Sequence, residues 1–581
     1  MTDFTPPTAE QAFALSVSAG IDEIARDPRF ADATPDLVEA IVEGIGGFAA
    51  GEWAPLNRAG DTEGAVLDDG TVSLPPGFAE AYRAYVDAGW NGIAAPSEFG
   101  GQGLPYSLAC CALENLGAAN LAFSLLPMLT VGAIEALHLH GSEAQKSLYL
   151  SKLVSGEWSG TMNLTEPQAG SDVGALRTSA TPITDGPEAG KYLISGTKIF
   201  ITWGEHELAE NIIHLVLART PDAPPGSRGI SLFVVPKYLV NPDGSLGRRN
   251  DVKCVGIEHK MGIHASPTCV MSYGDEGECI GEIVGRENEG LRAMFTMMNQ
   301  ARINVGAQGI AIGERATQRA LRYATERVQS PRAGSADKAP VAIIEHPDVR
   351  RMLLRMRALT EGARALLYYA CGQIDRASLG DSAAQARADL LVPLVKAWGT
   401  DIGCEVASLG VQVHGGMGFI EETGAAQHLR DARIAPIYEG TNGIQAADLV
   451  TRKLGMEGGA VLTALMDEIA READDVMTLW KLSRDCKEIG EWMVSDAGLD
   501  DRLCGSVPYL TMCATAVAGW QLVLQARAAG KDTAPAVIAR TKPVVSRYFL
   551  EHVVPEAAGL KAAATGGSNV FYELDAQALA G

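Results

Sequence analysis

The stretch RDARIAPIYEGTNGIQAADL, residues 430–449, sets an acidic side chain, Glu439, on an irregular turn between Pro436 and a helix. Thr441 or Asn442 is the expected N-cap, and Gln445, Leu449 and Val450 continue the helix beyond it. Taken alone, such a glutamate reads as a solvated carboxylate near a positive helix end, because glutamates are rarely buried. What surrounds it in the chain decides whether that reading survives.

The chain has 581 residues, room for roughly four domains of ordinary size. Its formal charge of -23 argues against a non-specific nucleic-acid binder or a binder of anionic membranes. The ten cysteines show no CxxC and no Cys/His pair at zinc spacing, so they read as reduced thiols of a cytoplasmic protein and no metal site is expected. The opening MTDFTPPTAEQAF lacks the basic-then-apolar order of an export signal. The longest apolar stretch, residues 121–134, is interrupted by Pro127 and is too short for a bilayer, so no membrane partner is expected.

Texture changes in blocks. Residues 1–157 read as an N-terminal α-helical domain, with Thr8 and Gln11 as a capping box and Thr34-Pro35 opening an amphipathic helix. Residues 158–284 carry short apolar runs (KYLISGTKIFIT, NIIHLVLART, GISLFVVPKYLV, TCVMSY) between turn-rich pieces, the pattern of an antiparallel β-barrel or sandwich. Residues 285–458 hold three long periodic segments, about 287–328, 347–376 and 381–413, which predict an α-helical bundle. Residues 459–581 read as an extra C-terminal α-helical domain, so the whole is of α+β class.

Two stretches of the β block bear on chemistry. TMNLTEPQAGSDVGALRT, residues 161–178, leads a strand into a tight turn at Gly170-Ser171-Asp172, where backbone N–H groups and hydroxyls could hold a polar ring edge or a phosphate. A plain β-turn explains Gly-Ser-Asp by itself. GTKIFITWGEH, residues 196–206, sets Phe200 and Thr202 on one face of a strand, able to flank a flat ligand, although core packing explains Phe200 equally well.

Together NLTEPQAGSD, KIFITWG, QVHGGMGF and PIYEGTNGIQ, in this order and spacing, resemble the acyl-CoA dehydrogenase flavoprotein family over about residues 36–455. The C-terminal block points to the family's longer branch. Within it, CVGIEHKMGIHASPTCVM and MFTMMNQARINVGAQGIAIGERATQRALRYATERVQ look most like the bacterial enzymes that act on 3-(methylthio)propanoyl-CoA in dimethylsulfoniopropionate demethylation. The resemblance implies FAD as cofactor, an acyl-CoA thioester as substrate, an electron-transferring flavoprotein as acceptor and a homodimer or dimer of dimers. It makes Glu439 the base that removes the α-proton. Met162, Leu164, Thr165 and Ser171 match one wall of the flavin site, Phe200, Ile201 and Thr202 the other, and Thr441 faces the cofactor. Arg327 matches an arginine that reaches a neighbouring subunit's FAD, and Gln412, Gly415 and Gly416 match the loop beneath it. Ser171, Arg302 and Gly440 match substrate contacts, with an ordinary helix-surface ion pair as the plain alternative for Arg302.

The sequence also departs from the family pattern. VQSPRAG stands where a Phe-Gly pair is common after Arg327, Pro347 and Gly443 replace glutamines, and His264 stands where many relatives carry Arg. An oxidase on the same scaffold would share Glu439, a nitroalkane-oxidising relative would carry Asp there, and a nucleic-acid-binding relative would need a basic C-terminal block that this chain lacks.

Overall fold

The computed structural model describes residues 4–531 and 534–581. Helix α1, Pro35–Phe48, begins as its sequence dictates: the Thr34 hydroxyl accepts the Leu37 N–H at 3.3 Å and Pro35 fills the first turn, where its missing N–H is no loss. The capping box expected at Thr8 does not form. Pro7 occupies the cap position, and the Gln11 side chain turns inward to accept from Asn115 Nδ2 at 2.9 Å, so a buried partner outcompetes the local cap. Helices α2, Tyr106–Ala119, and α3, Leu121–His140, form the centre of this block. Helix α3 runs straight through Pro127 to 20 residues, long and apolar enough to cross a membrane, yet it is buried against a strand and the bundle. Its apolar character is that of a core helix.

The β block has eight strands in one sheet: β1 Trp158–Asn163, β2 Ser179–Pro182, β3 Tyr192–Thr202, β4 Asn211–Ala218, β5 Ser231–Pro236, β6 Val252–Ile257, β7 Thr268–Tyr273 and β8 Ile280–Val284. Their order is β6-β7-β3-β8-β5-β4-β1, with β2 also on β3. All pairs are antiparallel except β1 with β4. The sheet curls on itself: beyond β1, the Thr165 carbonyl accepts the Ile199 N–H of β3 at 2.9 Å, and the Thr161 hydroxyl donates to the Thr202 carbonyl at 2.7 Å. Ile194, Ile201, Val216, Phe233, Val235 and Met271 fill the interior.

Three long helices follow close to their expected limits: α4 Gly290–Glu326, α5 Pro347–Ser378 and α6 Ser382–His414. The α4–α6 contact is a seam of glycines. A Cβ on Gly309 would lie 2.1 Å from the Gly399 carbonyl oxygen, and one on Gly403 would lie 2.6 Å from the Gly309 Cα. Only hydrogen fits, so the two backbones touch. The chain between α4 and α5 folds back on itself, with Val328 bridged to Ala342, which is the path VQSPRAG takes in place of Phe-Gly.

After α7, Ala425–Ala432, and α8, Asn442–Asp448, the C-terminal block is built round α9, Leu499–Ala529, and α10, Ala536–Tyr548. It is fused to the rest by buried charge. Lys542 is bonded to Glu10 of the short N-terminal helix Thr8–Ala14 and to Glu361 of α5, the latter at 2.6 Å. Each of these charges depends on the others, because an unpaired one would be very costly at this depth.

The seam yields a stability test. Gly309→Ala should destabilise the fold by about 1–3 kcal/mol, the usual cost of overpacking. Gly47→Ala on α1, where an added methyl group meets nothing within 4 Å, should be neutral or stabilising. Calorimetric melting that gave both variants the same midpoint would contradict a tight seam.

Candidate active site

The turn between α7 and α8 is where sequence and structure meet. Thr441 is the N-cap of α8, its hydroxyl accepting the Ile444 N–H at 3.2 Å. To enter that cap, the chain passes through Glu439 with φ +56° and Gly440 with φ +82°. For Gly440 this costs nothing; for Glu439 it is a strained conformation that the surroundings must enforce. They do so from both sides. Arg302 of α4 donates from Nε to the Glu439 carbonyl at 3.3 Å, and Gln445 of α8 reaches the carbonyls of Glu439 and Gly440 at 3.4 and 3.3 Å. Arg302 is 7% exposed, so it is a buried backbone anchor and not the surface ion pair its position allows. A Cβ at Gly440 would lie 2.7 Å from Gln445 Nε2, so a larger residue there would displace the Gln445 amide as well as strain the backbone at φ +82°.

The neighbours of Glu439 are equally fixed. The Tyr438 hydroxyl donates to Gln308 of α4, and Gln308 in turn contacts Met128 Sδ of α3 at 3.2 Å. Asn442 donates to the Ala397 carbonyl of α6 at 3.0 Å and to Asp401 at 2.8 Å, and accepts from Lys396 Nζ at 2.9 Å. Among the described residues, the Glu439 N–H donates to no acceptor. The turn therefore presents a free amide and a carboxylate side by side.

Glu439 is half-buried. Burial raises its carboxyl from 4.5 to about 6, against the pull of Arg302 and Lys396, which favour the charged form. Such a group is an ionised base at neutral pH that can take and release a proton readily.

The barrel contributes a wall. Strand β3 carries a bulge: Cys269 of β7 pairs with Ile201, but Met271 pairs with Lys198, leaving one extra residue on β3. The bulge puts Phe200 at φ +60° and leaves it 58% exposed. A strained, exposed aromatic at a bulge is a surface made for contact. The hydroxyls of Thr165, Ser171 and Thr202 make no hydrogen bond to the described protein. A flat ring with a polar edge suits this set, the ring on Phe200 and the edge on the hydroxyls. Ile201 points into the barrel core and Met162 is buried within β1, so these two shape the wall from behind. Behind it also lies a clamp: Lys198 Nζ donates to Glu166 at 2.8 Å and to the Leu164 carbonyl at 3.0 Å, while Glu166 accepts the N–H groups of Arg177 and Thr178. Burial pushes the Glu166 carboxyl up, but Lys198 and these donors bring it down to about 2, and burial lowers Lys198 to about 8, so both are charged between those limits.

The remaining expected residues lie elsewhere. Arg327 caps the far end of α4, about 38 Å along the helix from Arg302 at 1.5 Å per residue. Gln412, Gly415 and Gly416 lie at the corresponding end of α6, joined to α4 by the stack of Tyr323 on His414 at 4.5 Å. Within one chain these four form a second exposed cluster, distant from Glu439. A cavity of about 700 Å³ beneath residues 89–104, lined by α2 and α3, contains none of the expected residues. His264 turns both ring nitrogens onto carbonyl oxygens, of Asp61 at 2.7 Å and Lys260 at 2.9 Å, and serves the barrel's junction with the N-terminal helical domain.

Sequence reasoning missed the supports: Gln308, Lys396, Asn442 and Gln445 round the turn, and Glu166 with Lys198 behind the wall. A signal existed for Lys396, a lone charge in the apolar run LLVPLVKAW.

Comparison with known proteins accords with this geometry. Residues 36–157, 161–275 and 288–454 match the N-terminal, middle and C-terminal domains of acyl-CoA dehydrogenases, and 461–575 match an acetyl-CoA dehydrogenase C-terminal-like domain. The chain is 48% identical to a 3-methylmercaptopropionyl-CoA dehydrogenase of Ruegeria pomeroyi, over 95% of this chain and 96% of that one. It is 33% identical to a broad-specificity linear acyl-CoA dehydrogenase of Mycobacterium tuberculosis, over 99% and 94% of the two chains. Among solved structures, an acyl-CoA dehydrogenase complexed with FAD from Bacillus anthracis shares the fold with a TM-score of 0.74 at 21% identity, over 94% of this chain and 90% of that one. With its three core domains in order and a near full-length relative at this identity, the chain belongs to the acyl-CoA dehydrogenase family.

Proposed function

We propose that the chain is an FAD-dependent dehydrogenase that converts 3-(methylthio)propanoyl-CoA to 3-(methylthio)acryloyl-CoA, a step of dimethylsulfoniopropionate catabolism. The similarity to the Ruegeria pomeroyi enzyme supports the substrate. The observation that carries the chemistry is the strained Glu439 turn, with a carboxyl raised to about 6 next to an unpaired amide.

The chemistry follows from those two groups. Bound FAD would supply the acceptor for the β-hydrogen and its electron pair, held between the Phe200 wall and the hydroxyls of Thr165, Ser171 and Thr202. Glu439 takes the α-proton as the C–H bond breaks, and the electrons released form the new Cα–Cβ double bond. As the α-carbon loses its proton, negative charge grows on the thioester oxygen. The Glu439 N–H is free to donate to that oxygen, and one such donor contributes about 3 to 4 kcal/mol. Arg302 holds the carbonyl of the same residue, fixing the direction of both groups. Gly440 leaves the approach clear of a side chain.

The second cluster supports a homodimer in which Arg327, Gln412, Gly415 and Gly416 meet the cofactor of a neighbouring subunit. Phe419, 85% exposed beside these glycines, is an apolar group that such an interface would cover. An electron-transferring flavoprotein is the acceptor proposed for the cytoplasmic enzyme.

The purified protein should be yellow, with about one FAD per chain, and should sediment as a dimer or larger. A colourless monomer after incubation with FAD would oppose this reading. Glu439→Gln keeps volume and the backbone donor but removes the proton acceptor, so anaerobic flavin reduction by 3-(methylthio)propanoyl-CoA should slow at least about 10³-fold while FAD stays bound. Glu439→Asp should keep a small residual rate. Butanoyl-CoA and octanoyl-CoA in the same assay test a broad linear specificity, which faster reduction by either would favour. The ionised base is present above its raised pKa, so wild-type reduction should fall as pH drops through about 6. A rate flat from pH 8 to 5 would mean another group takes the proton.

A further inference from the structure

Lys396 stands out in α6. It has no exposed surface, lies in an otherwise apolar helical face, and among the described residues its Nζ has one side-chain partner, the Asn442 amide oxygen at 2.9 Å. A fully buried ammonium is costly, and a single neutral amide repays little of that cost. Its cost is offset by what lies across the turn. Burial lowers Lys396 to about 8, while Glu439 and Asp401 raise it and Arg302 lowers it. The dependence is mutual, since Lys396 is one of two cations that favour the charged form of Glu439.

Asn442 is the mechanical link. Its N–H donates to the Pro436 carbonyl at 3.0 Å, closing the loop that carries Glu439. Its amide nitrogen is shared between the Ala397 carbonyl, the Thr400 hydroxyl and Asp401. With the nitrogen so engaged, the oxygen faces donors: Lys396 Nζ at 2.9 Å is the shorter contact and the one that carries charge, and the Thr400 hydroxyl lies at 3.3 Å.

We propose that Lys396 is a positioning residue for the base: from behind the turn it holds Asn442, and with it the 436–442 loop, and it supplies the second positive charge facing Glu439. Arg302 works from the α4 side on the backbone carbonyl and Lys396 from the α6 side through Asn442, so the turn is gripped between two cations. The groups facing Glu439 are then Arg302 from α4, Lys396 from α6 and Tyr438 from its own turn, with Asp401 and Asp448 balancing the two cations.

This inference rests on Glu439 being the base, and the test separates the two. Lys396→Gln keeps a donor for Asn442 but no charge; Lys396→Met keeps neither. Asn442→Ala keeps the charge and cuts the link. Two readouts on the FAD-loaded enzyme apply: the pH profile of flavin reduction by 3-(methylthio)propanoyl-CoA, and direct titration of the Glu439 carboxyl as the wild-type minus Glu439→Gln infrared difference. Both Lys396 variants should move the acid limb and the infrared titration to higher pH together, by about half a unit or more. Lys396→Met and Asn442→Ala should also lose about tenfold in plateau rate, Asn442→Ala with its acid limb unmoved. An unshifted limb and titration in Lys396→Gln would overturn the role of the charge, and a full plateau rate in Asn442→Ala would overturn that of the link. Should the Lys396 variants fail to fold, Asn442→Ala still decides on the link, and wild-type titration still decides on the charge: a Glu439 carboxyl that titrates well above pH 6, as if no cation faced it, would overturn it. If Glu439→Gln itself remains active, the base assignment falls first.

Discussion

The close approach of α4 and α6 is the constraint on which the site depends. Gly309, Gly399 and Gly403 let two backbones meet where any side chain would hold them apart. Arg302 lies two turns before Gly309 and Lys396 one turn before Gly399, so closing the seam brings both cations towards one loop. A well-packed interior transmits small displacements, so widening the seam would move the two grips away from the turn together. In this architecture the glycines position charge without touching it.

That arrangement explains how the strained backbone persists. A non-glycine residue in the left-handed region costs of order 1–3 kcal/mol. Glu439 and Phe200 both adopt it, and each is held by a charged group acting nearby: Arg302 on the Glu439 carbonyl, and Lys198 with Glu166 beside the Phe200 bulge. Hydrogen bonds to charged groups contribute roughly 1.5–3 kcal/mol each, enough to offset strain of that size. The two halves of the site, one helical and one β, thus share a device: a buried cation tied to backbone carbonyl or amide groups fixes a turn that would otherwise relax.

The sequence made the block order, the three long bundle helices and the Glu439 turn legible, because each rests on periodicity or turn chemistry that acts over a few residues. Thr34 and Thr441 cap as read, since local hydroxyl-to-amide bonds suffice there. Thr8 does not, because Gln11 finds Asn115 more than a hundred residues away, a partner no local rule can see. The β3 bulge escaped for the same reason: alternation from Phe200 to Thr202 holds, but the extra residue between Lys198 and Ile201 is defined only by pairing with β7. The parallel β1–β4 pair and the inward gaze of Ile201 are likewise properties of the assembled sheet. Lys396 was the most legible of the missed residues, yet an apolar run with one lysine says only that the charge is buried, not what it faces.

What the supports leave undone is as informative as what they do. Arg302, Gln445 and Asn442 satisfy the carbonyls and the loop closure of the Glu439 turn, and the Glu166–Lys198 clamp satisfies the backbone behind the Phe200 wall. Among the described residues, the Glu439 amide and the Thr165, Ser171 and Thr202 hydroxyls of these frames remain without a protein partner. The fold thus uses protein partners on the frame of each turn and leaves these groups open, which is the condition for a ligand to bond there. Glu439 carries both the left-handed backbone and an unused amide, and Phe200 lies two residues from the Thr202 hydroxyl, so strain and open hydrogen-bonding capacity coincide in the chain.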